Sequence, residues 1–232
     1  MKTKTSKILI ICLSLIALAL LVSLAALILN PVSYYEFEQD GYSFNYKGSF
    51  GKARRLIIKN DGEKLSTVRI RSDADMFDYI EDFSAIIADL DGDAEDDILI
   101  PTAHDEEDDV IYSVFLFDGE EFAAYEDAAL ANPVLDAESG VIYTEETVKV
   151  VVQEATKKSP EFYERTEKIA QHVFDESGTL ITLAERSIIY YSESDYYCYS
   201  IYEYNEEAKD LVYVDEIWFD PIKLDQYPLN WD

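Results

Sequence analysis

Apolar and polar positions divide the chain into two stretches of different grammar. Residues 8–29, ILIICLSLIALALLVSLAALIL, hold no charge and only two hydroxyls, Ser14 and Ser23. As a helix rising about 1.5 Å per residue they would span roughly 33 Å, enough to cross a hydrocarbon core. Lys2, Lys4 and Lys7 are the charges beside them, which sets residues 1–7 as a cytoplasmic tail and the remainder outside the cell. A secretory signal has a shorter apolar region of about 7–15 residues, with polar residues after its small ones. Here Ser23, Ala25 and Ala26 lead into more Leu and Ile. The expectation is an uncleaved single-pass anchor at the cell membrane, with a secreted protein as the outcome if the segment is cleaved.

Beyond Asn30-Pro31 and a short linker over residues 30–34, alternation and β-forming residues take over. Strands are expected at Tyr42–Tyr46, Thr67–Arg71, Ser84–Ala88, Asp97–Ile100, Val110–Phe117, Val141–Thr144 and Val148–Val152. Further strands are expected at Phe162–Phe174, Leu180–Ala184, Ser187–Tyr191, Tyr196–Tyr204 and Leu211–Phe219. Ala123–Leu130, ahead of Asn132-Pro133, reads as a short helix. Three places share one hairpin grammar: Phe117-Asp118-Gly119, Phe174-Asp175-Glu176 and Tyr204-Asn205-Glu206. In each an aromatic ends a strand and an Asp or Asn side chain is placed to close the turn. The expected fold is all-β, a meander or irregular β-propeller-like domain over residues 35–232, with four-stranded units of about 40–50 residues.

Charge narrows the partners. Lys and Arg number 19 against 48 Asp and Glu, a net charge of −29. From residue 31 onward the balance is 16 basic against 48 acidic residues, or −32. Nucleic acid is excluded, because its binding requires Lys and Arg that displace counterions; an anionic lipid surface is excluded for the acidic part. Disorder is not implied, since 48% of residues are hydrophobic and 13% aromatic, enough to bury a core. Cys12 lies in the apolar run and Cys198 is the only other cysteine, so the outer domain forms no internal disulfide.

Motifs of enzyme chemistry are absent. His104 and His172 do not stand in HExxH spacing, and no Gly-x-Ser-x-Gly or phosphate-cradling glycine loop occurs. Ser49-Phe-Gly-Lys52 fits Ser-x-x-Lys without its companion motifs. Carboxylates are numerous enough that a cell-wall-directed hydrolase using a carboxylate pair stays an alternative, as does a purely structural surface domain. The run from Tyr190 to Tyr204 holds seven tyrosines; cross-strand packing explains it, and a protein- or sugar-binding face is the second reading.

The most specific local signal is Asp89-Leu-Asp91-Gly-Asp93-Ala-Glu95-Asp-Asp97, between apolar Ala85–Ala88 and Ile98–Ile100. Carboxylates at positions 1, 3, 5 and 9 of a wound loop converge on one point, position 7 offers a backbone carbonyl, and a hard cation with 6–8 oxygen ligands suits that geometry. Position 12 is Ile100 and the flanks are strand-like, so this is not an EF-hand. The 104–109 run, His-Asp-Glu-Glu-Asp-Asp, reads as a solvated loop.

The strand, acidic loop and strand resemble the FG-GAP/VCBS-type repeat of integrin-like propellers and bacterial surface proteins. Ile87 through Asp97-Ile-Leu, then Tyr112 through Phe117-Asp118-Gly119 to Phe122, then Leu130-Ala-Asn132-Pro133 and the Phe174-Asp175 hairpin, is similar to small bacterial envelope proteins with one such repeat. The resemblance implies Ca2+ held by Asp89, Asp91, Asp93, Glu95 through its carbonyl, and Asp97. It also implies a periplasmic immunity or inhibitor role, with a basic envelope protein such as a peptidoglycan hydrolase as partner. Ala94 stands where the family has Gly, and a left-handed backbone there costs about 1–2 kcal/mol.

Overall fold

The computed structural model describes residues 15–23, 32–73, 77, 84–107, 109–153, 162–175, 177–221 and 229. Residues 15–23 are helical, with Leu15, Ile16, Leu18, Leu20, Leu21 and Val22 exposed. The rest of the expected 8–29 anchor lies outside the described residues, and among those no helix is long and apolar enough to cross a membrane. The remainder is β-structure in three antiparallel sheets, none closed on itself. Two compact units divide the chain, Met1–Tyr79 and Ile80–Asp232.

The first unit holds one four-stranded meander: β1 (Val32–Gln39), β2 (Tyr42–Ser49), β3 (Lys52–Asn60) and β4 (Glu63–Asp73), hydrogen-bonded in that order. Tight turns at Asp40-Gly41 and Asp61-Gly62 join the first pair and the last, with positive φ at all four residues; Gly tolerates this and Asp accepts it better than most side chains. The alternation is legible in the packing. Phe44, Tyr46, Leu56, Ile58, Val68 and Ile70 are buried on one face, while Lys47, Arg55 and Arg69 occupy the other register positions. β1 takes in Val32–Tyr34, part of the stretch read as linker. β3 escaped the sequence reading because Lys52, Arg54, Arg55 and Lys59 mask its apolar positions.

In the second unit β5 (Ile86–Ala88), β6 (Asp97–His104), β7 (Val110–Phe117) and β8 (Phe122–Ala131) form another meander. A six-stranded sheet follows with β9 (Val134–Asp136), β10 (Val141–Gln153), β11 (Phe162–Phe174), β12 (Leu180–Tyr191), β13 (Tyr196–Asn205) and β14 (Asp210–Phe219), again in sequence order. The expected helix at Ala123–Leu130 is strand β8. Phe117 pairs with Phe122 to open the hairpin, and Ala128 and Leu130 are buried in the core; pairing and burial override the helical preference of an Ala-rich segment. Leu99, Val114, Ala128 and Leu130 of the meander join Ile142 and Phe174 of the large sheet in one core. A second contact ties the same elements: the Tyr125 hydroxyl accepts the Leu180 N–H at 3.0 Å.

All three hairpins with the aromatic-Asx grammar close as their sequences suggest. Asp118 Oδ1 accepts the N–H groups of Glu120 and Glu121, Asp175 Oδ1 those of Ser177 and Thr179, and Asn205 Oδ1 those of Glu207 and Ala208. These bonds favour the ionised carboxylates, holding Asp118 and Asp175 below the usual range, the latter chiefly through the Ser177 hydroxyl.

Candidate metal centre

Ala88 pairs with Asp97 where β5 meets β6, so residues 89–96 must reverse the chain within one strand spacing. Two left-handed residues do this, Gly92 at φ +83° and Ala94 at φ +72°. The departure at Ala94 therefore does not rewind the loop; the alanine adopts the conformation that favours glycine. Side chains stabilise the winding. Asp89 Oδ1 accepts the Gly92 N–H at 2.7 Å and its Oδ2 the Ala94 N–H at 3.0 Å. Asp91 Oδ1 accepts from Asp93 at 3.2 Å, and Asp93 Oδ1 from Glu95 at 2.8 Å.

Asp97 is the anchor of the loop. It is 0% exposed, and its two oxygens accept two distant backbone N–H groups, Leu90 to Oδ2 and Phe117 to Oδ1, both at 2.9 Å. The first closes the loop; the second fastens it to the end of β7. Burial raises the Asp97 pKa above the ordinary carboxylate range, those two donors pull it down, and the nearby Asp91 charge raises it further.

Oxygens of Asp89, Asp91 and Asp97 lie within 4.8 Å of one another. This buried-to-exposed triad could hold a metal ion. The Asp93 carboxylate stands outside that gathering and accepts the N–H of Glu95 instead, the residue expected to act through its backbone carbonyl. The β11–β12 turn borders the site: Gly178, at φ +73°, lies where a Cβ would stand 3.6 Å from Asp91 Oδ2. No protein-family model, curated protein or solved structure matches the chain.

The second acidic run is built into the fold more firmly than a solvated loop. Asp105 Oδ1 accepts the N–H groups of Glu107 and Asp109. Asp109 Oδ2 accepts the Thr147 N–H and its Oδ1 the Asn132 amide. Asn132, at φ +44°, returns an acceptor to the Val110 N–H at 3.0 Å. The signal for this lay in Asn132-Pro133, a left-handed Asx after a strand, rather than in the acids themselves.

His172 sits between two hydroxyls, Thr144 Oγ1 and Thr182 Oγ1, each 3.0 Å from a ring nitrogen. Burial, helped by the Lys168 charge, lowers its pKa to about 4. The imidazole is thus neutral and held by groups that cannot drive it as a base. Cys198 is buried, with burial raising its pKa. The tyrosine run packs on itself across strands: Tyr190 on Tyr197 at 4.9 Å, Tyr197 on Phe219 at 5.6 Å, and Tyr191 on Trp218 at 5.3 Å between ring centroids.

Proposed function

We propose that the Asp89–Asp97 loop binds Ca2+ and stabilises a membrane-anchored, extracytoplasmic β domain that acts as a protein-interaction or inhibitor module at the cell envelope. The observation that carries this reading is the convergence of Asp89, Asp91 and Asp97 within 4.8 Å. Three carboxylates so close repel one another, and a hard cation with 6–8 oxygen ligands relieves that repulsion. The Asp93 carboxylate, the Glu95 carbonyl and waters complete the shell. Placement of the loop between β5 and β6 supports the likeness to an FG-GAP/VCBS-type repeat. The four-stranded meander β5–β8 has the size of a single propeller blade and supports a propeller-like reading, although the other sheet of its unit has six strands.

The apolar run over residues 8–29 anchors the chain, with residues 1–7 in the cytoplasm. Its partner is a basic envelope protein such as a peptidoglycan hydrolase, drawn by long-range steering towards the acidic domain.

Thermal melting of the full chain in detergent, with EDTA or with millimolar calcium, tests the site. Calcium at about 100 times its dissociation constant adds roughly 2.7 kcal/mol; identical melting in both refutes calcium binding. Pull-down from envelope extracts tests the module, and a basic protein retained as salt rises is the expected result. Cleavage of peptidoglycan by the purified chain alone would sink that reading.

A further inference from the structure

The net charge of −29 hides a cationic sheet. Residues 42–72 carry eight of the chain's 19 basic residues against two of its 48 acidic ones, a local charge of +6. Over residues 80–232, the second unit, the balance is 8 basic against 40 acidic residues, or −32. The register sharpens the contrast. Lys47 of β2 stands opposite Arg55 of β3, and Arg55 opposite Arg69 of β4. Three cations therefore form one row across three adjacent strands, and none of them is ion-paired among the described residues. Like charges directly opposite each other destabilise a sheet. An anion over the row would relieve that repulsion.

A groove of about 1150 Å³ accompanies the row, lined among others by Lys47, Lys52, Arg54, Arg55, Arg69 and Ser72. The register shift at Lys47/Gly48 leaves Arg54 as the extra residue of a bulge against β2, and the shift at Ala53/Arg55 puts the extra residue on β4. Gly48 allows the strands to approach there, because a Cβ would lie 1.9 Å from the Lys52 carbonyl oxygen.

We propose that the β2–β4 groove seats phosphate headgroups of an anionic lipid surface. Arginine forks match phosphate oxygens in geometry and charge. Two residues separate the end of the 8–29 run from β1 at Val32, a reach of about 10 Å; resting on the anchor reading, this holds the sheet within the headgroup layer. Attraction of the whole chain to an anionic surface cannot supply the binding, since its net charge is negative. The lipid exclusion drawn from composition holds for the acidic unit and not for this sheet.

The test reconstitutes the full chain in phosphatidylcholine vesicles and in vesicles with roughly a third phosphatidylglycerol. Modification of each arginine by phenylglyoxal is followed by mass spectrometry. Arg55 and Arg69 should react about fivefold more slowly in the anionic vesicles, the change expected for one basic residue held at such a surface. Arg165 of the second unit should react equally in both. Raising salt to about 0.5 M should erase the difference. Equal rates for Arg55 and Arg69 in both vesicles would overturn the proposal. Equal protection by millimolar inorganic phosphate in neutral vesicles would show a free-anion site and overturn the lipid assignment. Flotation with neutral vesicles reports the anchor separately: loss of flotation with protection intact defeats the anchor, and flotation without protection defeats the groove. The pair Arg55→Gln and Arg69→Gln should melt no lower than the parent, and anionic vesicles should no longer slow acetylation of its Lys47. Continued slowing in this variant would count against the groove.

Discussion

Asp97 and Phe117 are twenty positions apart, yet the carboxylate of the first accepts the backbone N–H of the second at 2.9 Å. The buried acid of the loop is therefore a structural acceptor as well as a candidate ligand, and the two roles separate by substitution. Asp97→Ala strands the Leu90 and Phe117 donors, and at about 1–3 kcal/mol for each unpaired group the loss should be about 2–6 kcal/mol even in EDTA. Asp91→Asn keeps the Oδ1 acceptor for the Asp93 N–H and should cost mainly the calcium-dependent increment. Urea denaturation of both variants, with and without calcium, distinguishes them; equal losses in EDTA would contradict the division of roles.

Ala94 at φ +72° is strained by its Cβ alone. Ala94→Gly removes that strain at the expense of a freer unfolded chain, for a net gain of about 0.5–1 kcal/mol. The reverse change, Gly92→Ala, meets no atom within 4 Å, so its cost of about 1–2 kcal/mol is purely conformational. Melting temperatures that move in the same direction for the two variants would contradict this account of the loop.

His172 gives the fold a pH dependence. Its folded pKa of about 4 lies below the ordinary 6.5, so the unfolded chain takes up the proton first. The associated stability is present above pH 6.5 and is lost as pH falls towards 4. About 2 kcal/mol should disappear between pH 7 and pH 5, before most carboxylates titrate. Denaturation at those two pH values should show the loss, and a proton titration of the imidazole should show no midpoint near 6.5.

Asp109 should matter far more than its acidic neighbours. Asp109→Ala unpairs the Thr147 N–H and one arm of Asn132, a cost of about 2–3 kcal/mol. Glu106→Ala, at an exposed position, should stay within about 0.5 kcal/mol. Similar effects from both changes would return the run to a plain solvated loop.

Strands with clean alternation were readable as they stand: Val110–Phe117 and Phe162–Phe174 match β7 and β11 residue for residue. Long strands were read as halves. Val141–Thr144 and Val148–Val152 are both β10, because Glu145, Glu146 and Thr147 interrupt the apolar pattern while pairing continues to Ile169, Lys168 and Glu167. Ladder hydrogen bonds are indifferent to side chains, so polarity alone does not end a strand. β3 and β8 were missed for the opposite reason, since their basic and Ala-rich compositions carry little β signal. In the loop, spacing identified Asp89, Asp91 and Asp97, whose oxygens the fold gathers. The bond from Asp97 to β7 depends on which hairpin lies alongside, which no local pattern encodes. The cationic row escaped notice for a related reason: Lys47, Arg55 and Arg69 are scattered in sequence and become neighbours only through register.

Every described strand is hydrogen-bonded only to strands that precede or follow it directly in the chain. This has a consequence for how the protein is made. Antiparallel sheets are often slow to form because distant segments must meet, and folding slows as the sequence separation of contacts grows. Here each hairpin can close as soon as its second strand emerges from the ribosome or a translocation channel. Assembly proceeds in the order of synthesis, and at any moment the nascent chain exposes a single growing edge.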